Sequence, residues 1–104
     1  MKLVKCNQVK ELSNDEHSIE ISICGTIIET NQIPTKLNPN KFIRFITVED
    51  ETGTIDCVCF DKQIKKFDKL LQTNHQVIIT GEKDLDSEYS PIIIQNVELA
   101  KYYL

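Results

Sequence analysis

Tryptophan is absent from this chain of 104 residues, methionine occurs once, and the aromatic residues together make up only 7% of it. A core so short of rings has to be built from isoleucine, valine and leucine. The abundance of isoleucine favours strands, because a side chain branched at Cβ packs well on a pleated surface. Glycine and proline are scarce as well, at three residues each, and no repeat, low-complexity tract or linker divides the sequence. No apolar run approaches the roughly 20 residues that a bilayer-spanning helix requires, and the start MKLVKCNQVK lacks the apolar block of a signal peptide. The expected setting is therefore the cytoplasm, with no membrane partner. Hydrophobic residues at 40% and charged residues at 27% belong to an ordinary folded globular chain, and the length is that of a single domain over residues 1–104.

Enzyme chemistry is excluded on several grounds. His17 and His75 fall in different turns, no serine or cysteine has a base beside it, and there is no glycine-rich loop to cradle a phosphate. The carboxylates Asp50 and Asp56 could suggest metal-assisted hydrolysis, but Asp50 stands in a turn cluster where aspartate usually bonds its own backbone. The four cysteines are Cys6, Cys24, Cys57 and Cys59. Zinc ligands cluster in loops at knuckle spacing, whereas Cys57 and Cys59 lie two apart on a strand with no histidine near them in sequence. They are expected to be free structural thiols, and no metal or cofactor is implied.

The strongest signal is the stretch FITVEDETGTIDCVCF at residues 45–60. An apolar strand from about Lys41 to Val48 runs into the turn formers Glu49-Asp50-Glu51-Thr52-Gly53, and a second alternating strand begins at Thr54. Before this hairpin, Ile19, Ile21, Ile23, Gly25 and Ile27 share one parity and mark a half-buried strand whose interior glycine signals a bend or a close backbone approach. Two prolines and three asparagines between Asn31 and Asn40 predict a long loop after it. Beyond the hairpin, Ile64, Phe67, Leu70 and Leu71 keep a 3–4 spacing, which predicts a helix from about Lys62 to Leu71 capped by Asp61. Its lysines Lys62, Lys65, Lys66 and Lys69 read as a solvated face. Val77, Ile79 and Gly81 mark a fourth strand, an acidic loop runs from Lys83 to Glu88, and Ile92, Ile93, Ile94 and Val97 mark a fifth strand.

This order of strand with internal glycine, strand, turn, strand, helix, strand, strand resembles an OB-fold. The expected architecture is all-β: a closed five-stranded Greek-key barrel, its core at about residues 17–99, with one helix between the third and fourth strands. The segments Phe45–Val48, Glu49–Gly53, Ile55–Phe60, Asp61–Leu71 and Val77–Gly81 resemble the OB module of bacterial DNA polymerase III alpha subunits and, beyond it, the anticodon-binding domains of class II aminoacyl-tRNA synthetases. The resemblance implies that nucleic acid lies on the outer face of the second and third strands, framed by the first and last inter-strand loops. It places Phe45 where a ring stacks on a base and puts Ile43, Thr47 and Val58 on the same outward parity. Lys36, Lys41 and Arg44 would contact phosphate, although Arg44 nominally points inward, and Tyr89 would stack from the last loop.

What the resemblance implies is a non-catalytic module that binds single-stranded DNA, with RNA as an alternative, in replication or repair, alongside a polymerase or another replication protein. The net charge of −4 weighs against tight independent binding. Between Asn31 and Arg44, however, the only charges are Lys36, Lys41 and Arg44. Asp84, Asp86 and Glu88 would repel a phosphate chain, so a protein-docking OB module in a replication or repair assembly is the alternative. A complete small protein and a segment of a polymerase fit the sequence equally.

Overall fold

The computed structural model describes residues 2–9, 18–86 and 90–100. The elements, in chain order, are β1 (Lys2–Val4), α1 (Cys6–Val9), β2 (Ser18–Pro34), β3 (Phe42–Asp50), β4 (Gly53–Phe60), α2 (Asp61–Phe67), β5 (Gln76–Asp84) and β6 (Ile92–Leu99). Strands β2 to β6 form a ring in the order β2-β3-β4-β6-β5, closed by pairing of β5 back onto β2. This is the expected five-stranded barrel, with α2 between its third and fourth strands. No helix among the described residues is long and apolar enough to cross a membrane.

The ring closes because β2 takes part in two ladders. It pairs with β5 from Ser18↔Asp84 to Thr26↔Gln76 and with β3 from Thr26↔Glu49 to Pro34↔Phe42. Where the two ladders meet, a Cβ on Gly25 would stand 2.5 Å from the Glu49 carbonyl oxygen and 2.7 Å from Val48 Cγ1, so a side chain has no room and the sheet can fold over tightly. A bulge between Ile27 and Glu29 adds local twist. The β4–β6 seam is much shorter than the other ladders of the ring: among the described residues it consists of Cys57↔Ile92 and Val58↔Ile93 in parallel register.

Inward-facing side chains fill the barrel with Ile21, Ile23, Ile27, Ile46, Val48, Cys57, Cys59, Val77, Ile79, Ile92 and Ile94, all essentially inaccessible. Ile64, Phe67 and Leu71 seal one end of it. Each fully buried aliphatic side chain contributes about 1.5–3 kcal/mol, so this isoleucine and valine interior compensates for the lack of large rings. The cysteines are free thiols, three of them buried. Burial pushes the Cys6 thiol up to about 12 and that of Cys59 up to about 11, the Arg44 charge pulling the latter partly back. Burial raises Cys57 as well.

Several elements differ from the sequence reading. Helix α2 ends at Phe67, and the chain continues to Leu71 as a turn in which the Leu70 and Leu71 amides both return to the Phe67 carbonyl, at 2.9 and 3.1 Å. Asp61 is not the cap. Phe60 takes that position without a side-chain bond, while Asp61 accepts from the Phe42 amide at 3.1 Å and from Lys65 at 3.0 Å. The loop expected over 31–40 is shorter than expected, because β2 and β3 run on as a two-stranded arm to Pro34↔Phe42. Pro34 is tolerated at its end, where the ladder stops. Likewise β5 runs through Lys83 and Asp84, placed in the acidic loop by the sequence reading, and Lys83 is buried at 4% exposure.

The first residues add structure that the barrel pattern did not contain. β1 lies parallel to β2, from Lys2↔Ile21 to Val4↔Ile23, and α1 buries Cys6 and Val9. This segment clamps the β3–β4 turn. Asp50 Oδ2 accepts the Cys6 amide at 2.8 Å, Asp50 Oδ1 accepts the Thr52 amide at 2.8 Å and its hydroxyl, Thr52 Oγ1 accepts the Asn7 amide at 3.0 Å, and Lys5 Nζ meets Glu51 at 2.6 Å. Partial burial acts to raise the Asp50 pKa, but the bonds from Thr52 and Cys6 outweigh it and hold the carboxyl at about 2.

Candidate nucleic-acid interface

Alternation along β3 and β4 sends one set of side chains into the barrel and the other onto its outer wall. Strand register arranges the outward set in rows. Asn31, Phe45, Val58 and Ile93 form the middle row across β2, β3, β4 and β6. Ile33, Ile43 and Phe60 form the row nearer the arm, and Glu29, Thr47 and Asp56 the row nearer the acidic turn. Phe45 is 41% exposed and Phe60 44%, with Ile33 and Ile93 similarly open, so two rings and several aliphatic side chains share one uncovered wall. The rings are diagonal neighbours across the β3–β4 pair, a relation that spans about 7–8 Å between Cα positions.

Val58 lies on this wall but is only 5% exposed. That corrects its assignment as a contact residue: flanked by Phe45 and Ile93, its short side chain forms the floor between taller ones. Ile43 and Thr47 are half-buried, and the Thr47 hydroxyl bonds Asp56 Oδ1 at 3.0 Å. Arg44 belongs elsewhere. It follows the inward parity at the barrel end, where its guanidinium bonds Gln32 Oε1 at 2.7 and 2.9 Å, Asp68 Oδ1 at 2.7 Å and the Leu71 carbonyl at 3.5 Å. With its side chain only 12% exposed and its charge paired to Asp68, Arg44 ties the arm to the end of α2 and does not join the outer wall.

Lys36 and Lys41 sit in the exposed connection between β2 and β3, whose backbone is tied at both ends. The Thr35 amide bonds the Lys41 carbonyl at 2.9 Å, the Lys41 amide bonds the Asn38 carbonyl at 3.0 Å, and the Asn38 amide bonds Thr35 Oγ1 at 3.1 Å. The loop carries Leu37 at full exposure, between Lys36 and Asn38. Neither lysine forms an ion pair with another described residue. The Asp61 carboxyl, drawn below its usual range by Lys65 and then by the Phe42 amide, also lies within the field of Lys41. Tyr89 is outside the described residues.

The sequence reading did not single out Phe60, Ile33 or Ile93. Phe60 was accessible in principle, since it shares the parity of Val58. Ile33 was hidden by the loop expectation, and Ile93 stands in an isoleucine triplet whose apolarity gives no alternation to read. A hollow of about 330 Å³ opens beside Phe45, lined by Glu29, Asn31, Phe45, Thr47, Asp56 and Pro91. Among the described residues no group of three or more histidine, cysteine, aspartate or glutamate side chains is placed to hold a metal ion.

The chain resembles segments of much longer proteins. It is 32% identical over 88 residues to the DNA polymerase III subunit alpha of Staphylococcus aureus, an alignment covering 85% of this chain and 8% of that protein. Among solved structures, the crystal structure of yeast Stn1 and Ten1 superposes with a TM-score of 0.62 at 24% identity, covering 79% of this chain and 43% of that one. The SSB domain of a Synechococcus protein gives the same TM-score at 13% identity, covering 84% of this chain and 99% of its own. The family model described as the OB-fold nucleic acid binding domain matches residues 21–99, from the buried start of β2 to the end of β6, and the chain belongs to that family.

Proposed function

We propose that this chain is a non-catalytic OB module over residues 1–104 that binds single-stranded DNA in the cytoplasm as part of DNA replication, alongside a polymerase or another replication protein. The observation that carries the reading is the pairing of an uncovered ring, Phe45, with a loop bearing Lys36 and Lys41 at the arm end of the same outer wall. An unpaired base presents a flat apolar face to stack on a ring, and its phosphate needs a cation within reach. Phe60 offers a second ring one row towards that loop, which suits successive bases of an extended strand. The polymerase relative supports the replication setting, and an RNA strand would use the same stacking and charge.

Phe45→Ala tests this. The variant is expected to keep its fold, because the ring is outside the barrel, and to bind single-stranded DNA about 1–3 kcal/mol more weakly in fluorescence anisotropy titrations. A wild-type protein that binds no single strand at low salt, or a Phe45→Ala variant that unfolds, would transfer the outer wall to the protein-docking reading.

A further inference from the structure

We infer that the hollow beside Phe45 is a base-reading site selective for guanine, with Asp56 accepting hydrogen bonds from the base edge; this rests on the single-strand reading above and adds a preference to it. The hollow measures about 330 Å³ and joins one aromatic wall, Phe45, and one aliphatic wall, Pro91, to the polar side chains of Glu29, Asn31, Thr47 and Asp56. Stacking on Phe45 is indifferent to base identity. Whatever preference exists must come from the edge that a stacked base turns towards the polar side of the hollow.

That polar side is rich in acceptors. Glu29 and Asp56 are exposed carboxylates, and no lysine or arginine lines the hollow, so a phosphate is repelled there while a donor-bearing base edge is attracted. Carboxylates present two oxygens side by side. Guanine alone among the four DNA bases offers two adjacent donors, N1–H and N2–H, that match such a pair; adenine and cytosine each offer one amino group, and thymine offers one N–H set between two carbonyl oxygens. Asp56 is the better placed reader of the two acids. Its Oδ1 is fixed by the Thr47 hydroxyl at 3.0 Å, from the residue directly opposite it on β3. The Asn31 amide, on the same wall, can donate to guanine O6. The charge layout orients the nucleotide, since the acidic row lies on the far side of Phe45 from the Lys36 and Lys41 loop.

The test compares labelled oligo(dT) of about twelve nucleotides, long enough for one OB domain, with the same strand carrying one central guanine or one central inosine, which lacks the N2 amino group. Wild-type protein should bind the guanine strand about tenfold more tightly than oligo(dT), the scale of one bidentate base contact, and the inosine strand should lose most of that gain. In Asp56→Asn, the guanine and oligo(dT) affinities should converge. Equal wild-type affinity for guanine and oligo(dT), an inosine strand as good as guanine, or an undiminished guanine advantage in Asp56→Asn would overturn the inference while leaving single-strand binding intact. Failure to bind any of the strands would overturn both.

Discussion

The two ends of strand β3 spend their polar groups differently. At the turn end, the clamp by β1 and α1 leaves little unused: Asp50 holds two amides and a hydroxyl, and Lys5 is matched to Glu51. At the arm end, two lysines and a fully exposed leucine face solvent beside an apolar wall. A region whose groups all have partners inside the molecule contributes to stability and has nothing left for a ligand. Where rings are uncovered and cations unpaired with any described residue, the free energy remains to be gained on binding. The contrast is sharpest between Arg44 on β3 and Lys41 at the end of the loop that leads into it, of which only the first is neutralised by a described residue.

Breaking the clamp should produce the largest change in stability. Asp50→Ala removes three hydrogen bonds to an ionised acceptor and is expected to cost about 2–3 kcal/mol in urea unfolding, while single-strand affinity at neutral pH stays near wild type. Acid should reproduce the effect without a mutation. Because the folded carboxyl sits at about 2, below its ordinary 3.8, its stabilisation is complete above about pH 4 and disappears as the pH falls towards 2. The wild-type melting temperature should therefore drop more steeply across that window than the variant's. A clamp that binds nucleic acid would show itself as a parallel loss of affinity in Asp50→Ala.

Neutralising the other end should leave stability alone and act on binding only. Replacing Lys36 and Lys41 together by alanine is expected to weaken all single strands similarly and to flatten the dependence of log affinity on log salt by about 0.7 for each phosphate that the protein no longer neutralises. An unchanged slope would mean that the loop lysines do not meet the backbone. It would also remove the main difference between the two ends of the strand.

Parity in the sequence was enough to place Phe45, because Ile46 and Val48 next to it are obvious core residues and fix which face is inside. The same rule put Val58 outside without telling that its neighbours would tower over it, since exposure depends on the height of side chains in adjacent strands. Arg44 shows a related limit. Its inward direction was readable, but its partners Gln32, Asp68 and the Leu71 carbonyl come from three segments that only the folded chain brings together. The clamp left no pattern to read at all: Lys2–Val4 is too short for periodicity, and its partner lies at 21–23, in parallel. The turn cluster at Glu49–Gly53 announced a reversal, whereas the amide donors that stabilise Asp50 come partly from Cys6, far away in sequence.

The short β4–β6 seam has a consequence for how the barrel breathes. Local opening begins where the fewest bonds must break, so amide protons near Ile92 and Ile93 should exchange with deuterated solvent well before those of the long β2–β5 ladder. Val58 and Ile93, which make that seam, also belong to the middle row of the outer wall. A strand of DNA lying across the row would then act as a staple over the joint, and its addition should slow exchange at the seam more than anywhere else in the protein. Uniform protection along both ladders, or a seam indifferent to DNA, would mean instead that the ring is held shut by the packing of its isoleucine interior.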